Sequence, residues 1–182
     1  MTADVTPERV LSTRRIYEGR ISALREDTVE LANGKTALRE IVEHDPVVAI
    51  VPIDENGDLV LVRQYRLAAE EALLEVPAGL VDPGEDLEAA AQRELREETG
   101  YRAADLRPLG GFFVSPGFCT EFIHIYLATG LTESPLDGDD DEDISVERMS
   151  LAEAVRYVQT GAIKDAKSVA GILLASSLEG SA

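Results

Sequence analysis

The stretch from Asp86 to Thr99 has the apolar spacing of an amphipathic helix, yet its inward face carries acids. At about 100° per residue, Leu87, Ala90, Ala91 and Leu95 share one face, and Asp86, Glu88, Gln92 and Arg96 point away from it. Gly100 follows, the residue that most readily takes the left-handed exit from a helix. Glu94 and Glu98 fall on the apolar face almost in line with Leu87, and Glu97 stands one step from Glu94. Carboxylates at this i, i+3, i+4 spacing repel one another, and burying them unpaired is costly. Bound cations would remove that cost. Carboxylate oxygens are hard ligands suited to Mg²⁺ or Mn²⁺, with phosphate oxygens and water completing an octahedral shell. Arg93, four residues before Glu97, can pair with it and orient it. On face geometry alone, a solvated acidic helix end with ordinary Glu–Arg pairs competes evenly with the metal site.

The preceding residues tilt the balance towards metal. Glu75-Val76-Pro77-Ala78-Gly79 leads into Leu80-Val81-Asp82-Pro83-Gly84-Glu85. Pro77 and Pro83 stiffen this approach, and Gly79 and Gly84 admit backbone shapes closed to other residues. A rigid loop set against three carboxylates can lend backbone carbonyls to the same cations.

Around this centre the chain reads as short strands with few helices. Thr13 to His44 alternates β-prone runs with turn signals, Asn33-Gly34 being a strong hairpin turn. Residues 1–45 are therefore expected to form a small antiparallel β segment, and 46–182 the catalytic domain. Val47–Val51 and Leu59–Val62 flank Asp54-Glu55-Asn56-Gly57-Asp58, which predicts a second hairpin. Leu73–Val76, Leu109–Val114 and Phe122–Ala128 read as further strands. Ser150 with Glu153 forms a capping box for one helix, and a last helix runs from about Ala166 to Leu178. Strands flanking single helices without strict alternation indicate a mixed-sheet α+β fold.

Thirty-five acids against 17 bases give a formal charge of −18. Such a surface repels nucleic acid, which is bound through Lys and Arg patches. The longest apolar stretch, Val47 to Ile53, is far short of the roughly 20 residues that span a bilayer. Neither a nucleic-acid nor a membrane partner is expected. The N-terminus lacks the apolar core of a secretory leader, and a single cysteine, Cys119, suits a reducing compartment. The cytoplasm is the expected location.

Gly79, five residues, Glu85, seven residues, then Arg93-Glu94-Leu95-Arg96-Glu97-Glu98-Thr99-Gly100-Tyr101 matches every fixed position of the Nudix box. The chain thus resembles the Nudix hydrolases, and the resemblance implies their α/β/α sandwich around a mixed sheet. It also implies that Glu94, Glu97, Glu98 and the Ala78 carbonyl bind metal. Glu85 is similar to the family's supporting glutamate, and Arg93 to the arginine that holds the catalytic glutamates, Glu97 among them.

From about Arg14 to Leu178 the chain also resembles the ADP-ribose pyrophosphatase branch. Pro116, sixteen positions after Gly100, matches the proline that marks the branch. Ser115-Pro116-Gly117-Phe118-Cys119-Thr120-Glu121 is similar to its substrate loop, and Arg63-Gln64-Tyr65-Arg66 reads as the same branch. This resemblance implies hydrolysis of ADP-ribose to AMP and ribose 5-phosphate, and a homodimer in which the N-terminal β segment swaps between subunits. An adenine-bearing diphosphate needs flat cations or aromatics to stack on and charge partners for phosphate. Arg39, Tyr65 and Arg66, with Pro116 and Glu121 of the loop, are the candidate substrate residues. Arg66 matches the branch's purine-contacting arginine; Arg63 is as readily a surface strand residue.

Asp137 to Asp143 holds six acids in seven positions, most of them solvated loop charges. In the branch an acid from such a loop activates the water, which makes Glu142 the candidate general base and Asp140 its rival. Two other functions stay open. Another nucleoside diphosphate sugar such as GDP-mannose would use the same machinery, and a non-cutting ADP-ribose sensor would typically have lost carboxylates from the box. His44, His124 and Cys119 are given no role.

Overall fold

The computed structural model describes residues 6–138 and 143–179. Its chain contacts divide it into two units. Met1–Asp45 with Phe113–Phe122 forms one, and Pro46–Phe112 with Ile123–Ala182 the other.

The first unit is an antiparallel sheet of β1 (Arg9–Glu18), β2 (Ser22–Glu30) and β3 (Thr36–His44), in that spatial order. The Asn33-Gly34 turn joins β2 to β3 as expected, with Gly34 at φ 79° and the Asn33 side chain accepting from the Lys35 N–H. Phe113–Phe122 belongs with these strands because it bonds along β3. The Val42 N–H donates to the Phe118 carbonyl (2.7 Å), the Thr120 N–H to the Val42 carbonyl (3.0 Å), and the His44 N–H to the Thr120 hydroxyl (3.0 Å). Every residue of β1 is exposed, Val10, Leu11, Ile16 and Tyr17 included.

The second unit is built on β4 (Val47–Pro52), which is buried along its whole length. A strand that reads as continuous Val, Ile and Ala without polar alternation has both faces covered. β5 (Asp58–Arg66), β6 (Glu71–Glu75), β7 (Ala78–Leu80) and α1 (Leu87–Thr99) follow. Then come β8 (Tyr101–Arg102), β9 (Asp105–Phe113), β10 (Phe122–Thr129), β11 (Thr132–Glu133), β12 (Ile144–Ser150), α2 (Leu151–Thr160) and α3 (Ala166–Glu179).

β4 lies between β7, antiparallel to it, and β10, parallel to it, with β9 beyond β10. Val48 and Ile50 pack with Ala90, Ala91 and Leu95 of α1. The alternate residues Val47, Ala49 and Val51 pack with Leu151 and Ala154 of α2 and Ile172 and Ala175 of α3. This unit is an α/β/α sandwich around a mixed sheet. Each large aliphatic side chain fully buried in it contributes about 1.5–3 kcal/mol.

The second predicted hairpin is corrected. The turn forms, with Gly57 at φ 82° and Asp54 accepting from the Asn56 and Asp58 N–H groups. Beyond the single bridge between Ile53 and Leu59, however, β4 and β5 do not pair. β5 instead sits between β12 and β6 in a separate antiparallel sheet. The apolar content of both strands demanded burial on two faces, which a two-stranded hairpin cannot supply.

Candidate active site

α1 starts at Asp86, whose carboxylate caps the Glu88 and Ala89 N–H groups (3.0 and 3.3 Å), and ends at Gly100 with φ 77°. These caps set the ends of the helix, and burial of its apolar face sets its rotation. Leu95, Ala90 and Ala91 are fully buried, and Glu98, on the same face, is only 8% exposed.

Arg93 organises the carboxylates. Its guanidinium donates to both oxygens of Glu85 (3.0 and 2.9 Å), to Glu94 (2.6 Å), to Glu97 (3.1 Å) and to the Leu80 carbonyl (2.9 Å). Only the planar five-donor fork of arginine can serve this many acceptors. The bond from Arg93 holds the Glu85 carboxyl below its usual range, and the same bond makes Arg93 harder to deprotonate. Three carboxylates on one guanidinium leave the cluster negative, a field that attracts cations.

Two contacts tie this cluster to the loop before it. The Ala78 N–H donates to Glu98 Oε2 (3.1 Å). A Cβ on Gly79 would lie 2.1 Å from the Glu94 carboxyl carbon, so only glycine lets that carboxylate approach the backbone. The hard oxygen donors and this cradle fit a divalent cation. Among the described residues no three acidic, His or Cys side chains yet surround one point. Between Glu94 and Glu97 stands the Arg93 guanidinium bonded to both, so an ion there would compete with an N–H for their oxygens.

The candidate substrate residues fall in both units. Arg39 and Pro116 line one cavity of about 420 Å³ within the first unit, along with Phe113, Phe118 and Arg25. Glu8 grips Arg39 at 3.0 and 2.5 Å. Glu121 is half-buried and accepts from the Val114 N–H through its backbone carbonyl.

In the second unit, Tyr65 is exposed on β5 and Arg63 pairs with Glu147 of β12. Arg66 makes two bonds, of 2.9 and 2.8 Å, to Glu75, and the Glu98 carboxylate also acts on it. Glu75 is 1% exposed. Burial works against its charge, but the Arg66 hydrogen bonds and the Lys167 ammonium outweigh this and hold its carboxyl below the ordinary value. Glu142 and its rival Asp140 lie outside the described residues.

In sequence α3 shows only the pattern of an apolar helix, which leaves Lys167 and Ser168 without a signal of function. Their sole local signal is Asp165 three residues before Ser168, a helix-start pattern. It gives no hint of their distant partners, Glu75 and Val76.

The chain is similar to known proteins over most of its length. Residues 43–171 match the NUDIX domain, and residues 8–42 the nucleoside diphosphate sugar hydrolase N-terminal domain. The chain is 41% identical over 167 residues to a methanol dehydrogenase activator of Bacillus methanolicus, covering 91% of this chain and 90% of that one. It is 37% identical over 167 residues to an ADP-ribose pyrophosphatase of Bacillus subtilis, with the same coverage of 91% and 90%. A crystal structure of an ADP compounds hydrolase superposes with a TM-score of 0.88 at 28% identity, covering 99% of this chain and 98% of that one.

Proposed function

The chain belongs to the Nudix family, and on that premise we propose that it hydrolyses ADP-ribose to AMP and ribose 5-phosphate. It is a pyrophosphohydrolase. The observation that carries this reading is the carboxylate cluster of α1, with Glu94 and Glu97 held by Arg93, Glu94 set against Gly79, and Glu98 bonded by the Ala78 N–H. A sensor without catalysis would have no use for it. The matched N-terminal domain and the ADP-ribose pyrophosphatase relative support the choice of substrate.

Nudix hydrolases generally depend on divalent metal, and for this chain we assign Mg²⁺ or Mn²⁺. Glu94, Glu97, Glu98 and the Ala78 carbonyl would hold it. When bound, such a cation polarises phosphoryl oxygens and lowers the pKa of water. Glu85 and Arg93 keep the carboxylates in place. Glu142 accepts the proton of the water that attacks phosphorus, and the bond from that phosphorus to the bridging oxygen breaks. Arg66 and Tyr65 on β5 contact the nucleotide or its sugar, and Arg39, Pro116 and Glu121 of the first unit keep the substrate role that the branch resemblance gives them.

A phosphate-release screen over ADP-ribose, GDP-mannose, dinucleoside polyphosphates and NADH tests the substrate. ADP-ribose is expected to show the highest kcat/KM, and a clear preference for GDP-mannose would refute the assignment. Arg66→Ala is expected mainly to raise KM, because a guanidinium used in ground-state binding leaves kcat little changed when lost.

The exposed β1, with four large hydrophobic side chains among its ten residues, also supports a second copy. A small isolated sheet is marginal in water, and here Val10, Leu11, Ile16 and Tyr17 are left in solvent. The proposed assembly is a C2 homodimer in which residues 1–45 pack on the partner and help wall its site. Light scattering at micromolar concentration is expected to give twice the chain mass. A monomeric mass with full activity would count decisively against it.

A further inference from the structure

Arg66 is the outer member of a buried ionic chain that reaches α3. Glu75, at the end of β6, grips it with both oxygens (2.9 and 2.8 Å). On its other side Glu75 accepts from the Lys167 ammonium, which also bonds Asp165 at 3.0 Å. Asp165 accepts from the Ser168 N–H (3.0 Å) and hydroxyl (2.6 Å) at the start of α3. The Ser168 hydroxyl in turn accepts from the Val76 N–H at 2.8 Å. The first turn of α3 thus holds both the side chain of Glu75 and the backbone of the residue after it.

The burial of these groups is uneven. The Glu75 side chain is 1% exposed and that of Lys167 11%, while Arg66 reaches solvent at 38%. A buried carboxylate facing a single cation would draw that cation inward to satisfy its charge. With Lys167 supplying a second, more deeply buried cation, Glu75 fixes the base of Arg66 while the solvent-facing side of the guanidinium stays available. Two bonds in one plane also set the plane of that guanidinium, which decides whether a flat base or a phosphate can lie against it.

We propose that Lys167 is a positioning residue for substrate recognition. Through Glu75 it fixes the plane and reach of the Arg66 guanidinium. The proposal rests on the reading that Arg66 contacts the nucleotide. Lys167 touches no reacting atom, so its effect belongs in binding rather than in the chemical step.

The test is a double-mutant cycle on the full-length enzyme with ADP-ribose. Lys167→Met, which keeps the aliphatic length and removes the charge, is expected to raise KM about 10- to 100-fold, the scale of losing an orienting partner. Its kcat is expected to stay within about threefold of the wild type. Lys167→Arg is expected to restore most of the KM. In an Arg66→Ala background, Lys167→Met is expected to add nothing further to KM, since the group it positions is gone.

An equal KM increment in both backgrounds, or a loss confined to kcat, would overturn the proposal. A normal KM for Lys167→Met beside a raised KM for Arg66→Ala would overturn it while sparing the role of Arg66. A normal KM for Arg66→Ala would remove the reading beneath it. If Lys167→Met does not fold, Lys167→Leu, which likewise removes the ammonium that Glu75 accepts from, is read against the same outcomes.

Discussion

Glu98→Gln is expected to lose nearly all hydrolysis, by about 10²–10³-fold or more, the scale of removing one charge-stabilising contact at a reacting centre. The fold is expected to survive. Glu98 sits on the apolar face of α1, 8% exposed, with Oε2 accepting from the Ala78 N–H. Glutamine has the same shape and keeps an amide oxygen for that bond, so the helix and β7 stay joined. What it loses is the negative charge, and a hard divalent cation is held by charge on oxygen.

Alanine would be a poorer probe. It would strand the Ala78 N–H at a cost of about 1–3 kcal/mol and mix a folding defect with a catalytic one. Phosphate release with ADP-ribose, together with a thermal melt, separates the two effects. Full activity of Glu98→Gln, or of the wild type in excess EDTA, would sink the assignment of α1 as the metal helix.

Glu142→Gln is expected to lower kcat by about 10²–10⁴-fold with little change in metal affinity, the usual scale for a lost general base. Both described ends of the acidic run are anchored at the site. On one side, Arg96 donates to the Ser134 carbonyl (2.8 Å) and the Leu136 N–H to the Arg96 carbonyl (3.3 Å). A Cβ on Gly138 would come within 3.6 Å of the Glu97 carbonyl. On the other side, Ile144 pairs with Gln64 of β5, next to Tyr65 and Arg66. A general base that must come near negative phosphate is expected to act only when bound cations have balanced that charge. If Glu142→Gln stays near wild type while Asp140→Asn collapses, the role is Asp140's. If both stay active, the base lies among the box glutamates.

The ends of α1, its rotation and the inward turn of its glutamates were all legible in the chain. Caps at Asp86 and Gly100 and a 3.6-residue period are local properties, decided within a few residues. The Arg93–Glu97 pair was legible for the same reason, since four residues bring both side chains to one helix face. The box residues then identified the family. Glu75, Lys167 and Ser168 carried no such signal. A buried carboxylate needs a cation, but which cation it meets depends on how α3 lies across the sheet, and that is not periodic in the sequence. The close approach of Glu94 to Gly79 is of the same kind, because it depends on β7 pairing with β4 beside α1. β4 shows the limit most directly. Its apolar run demanded burial, but the choice of β7 and β10 over β5 as neighbours was left to the tertiary structure, because only there do α1 on one face and α2 with α3 on the other cover it completely.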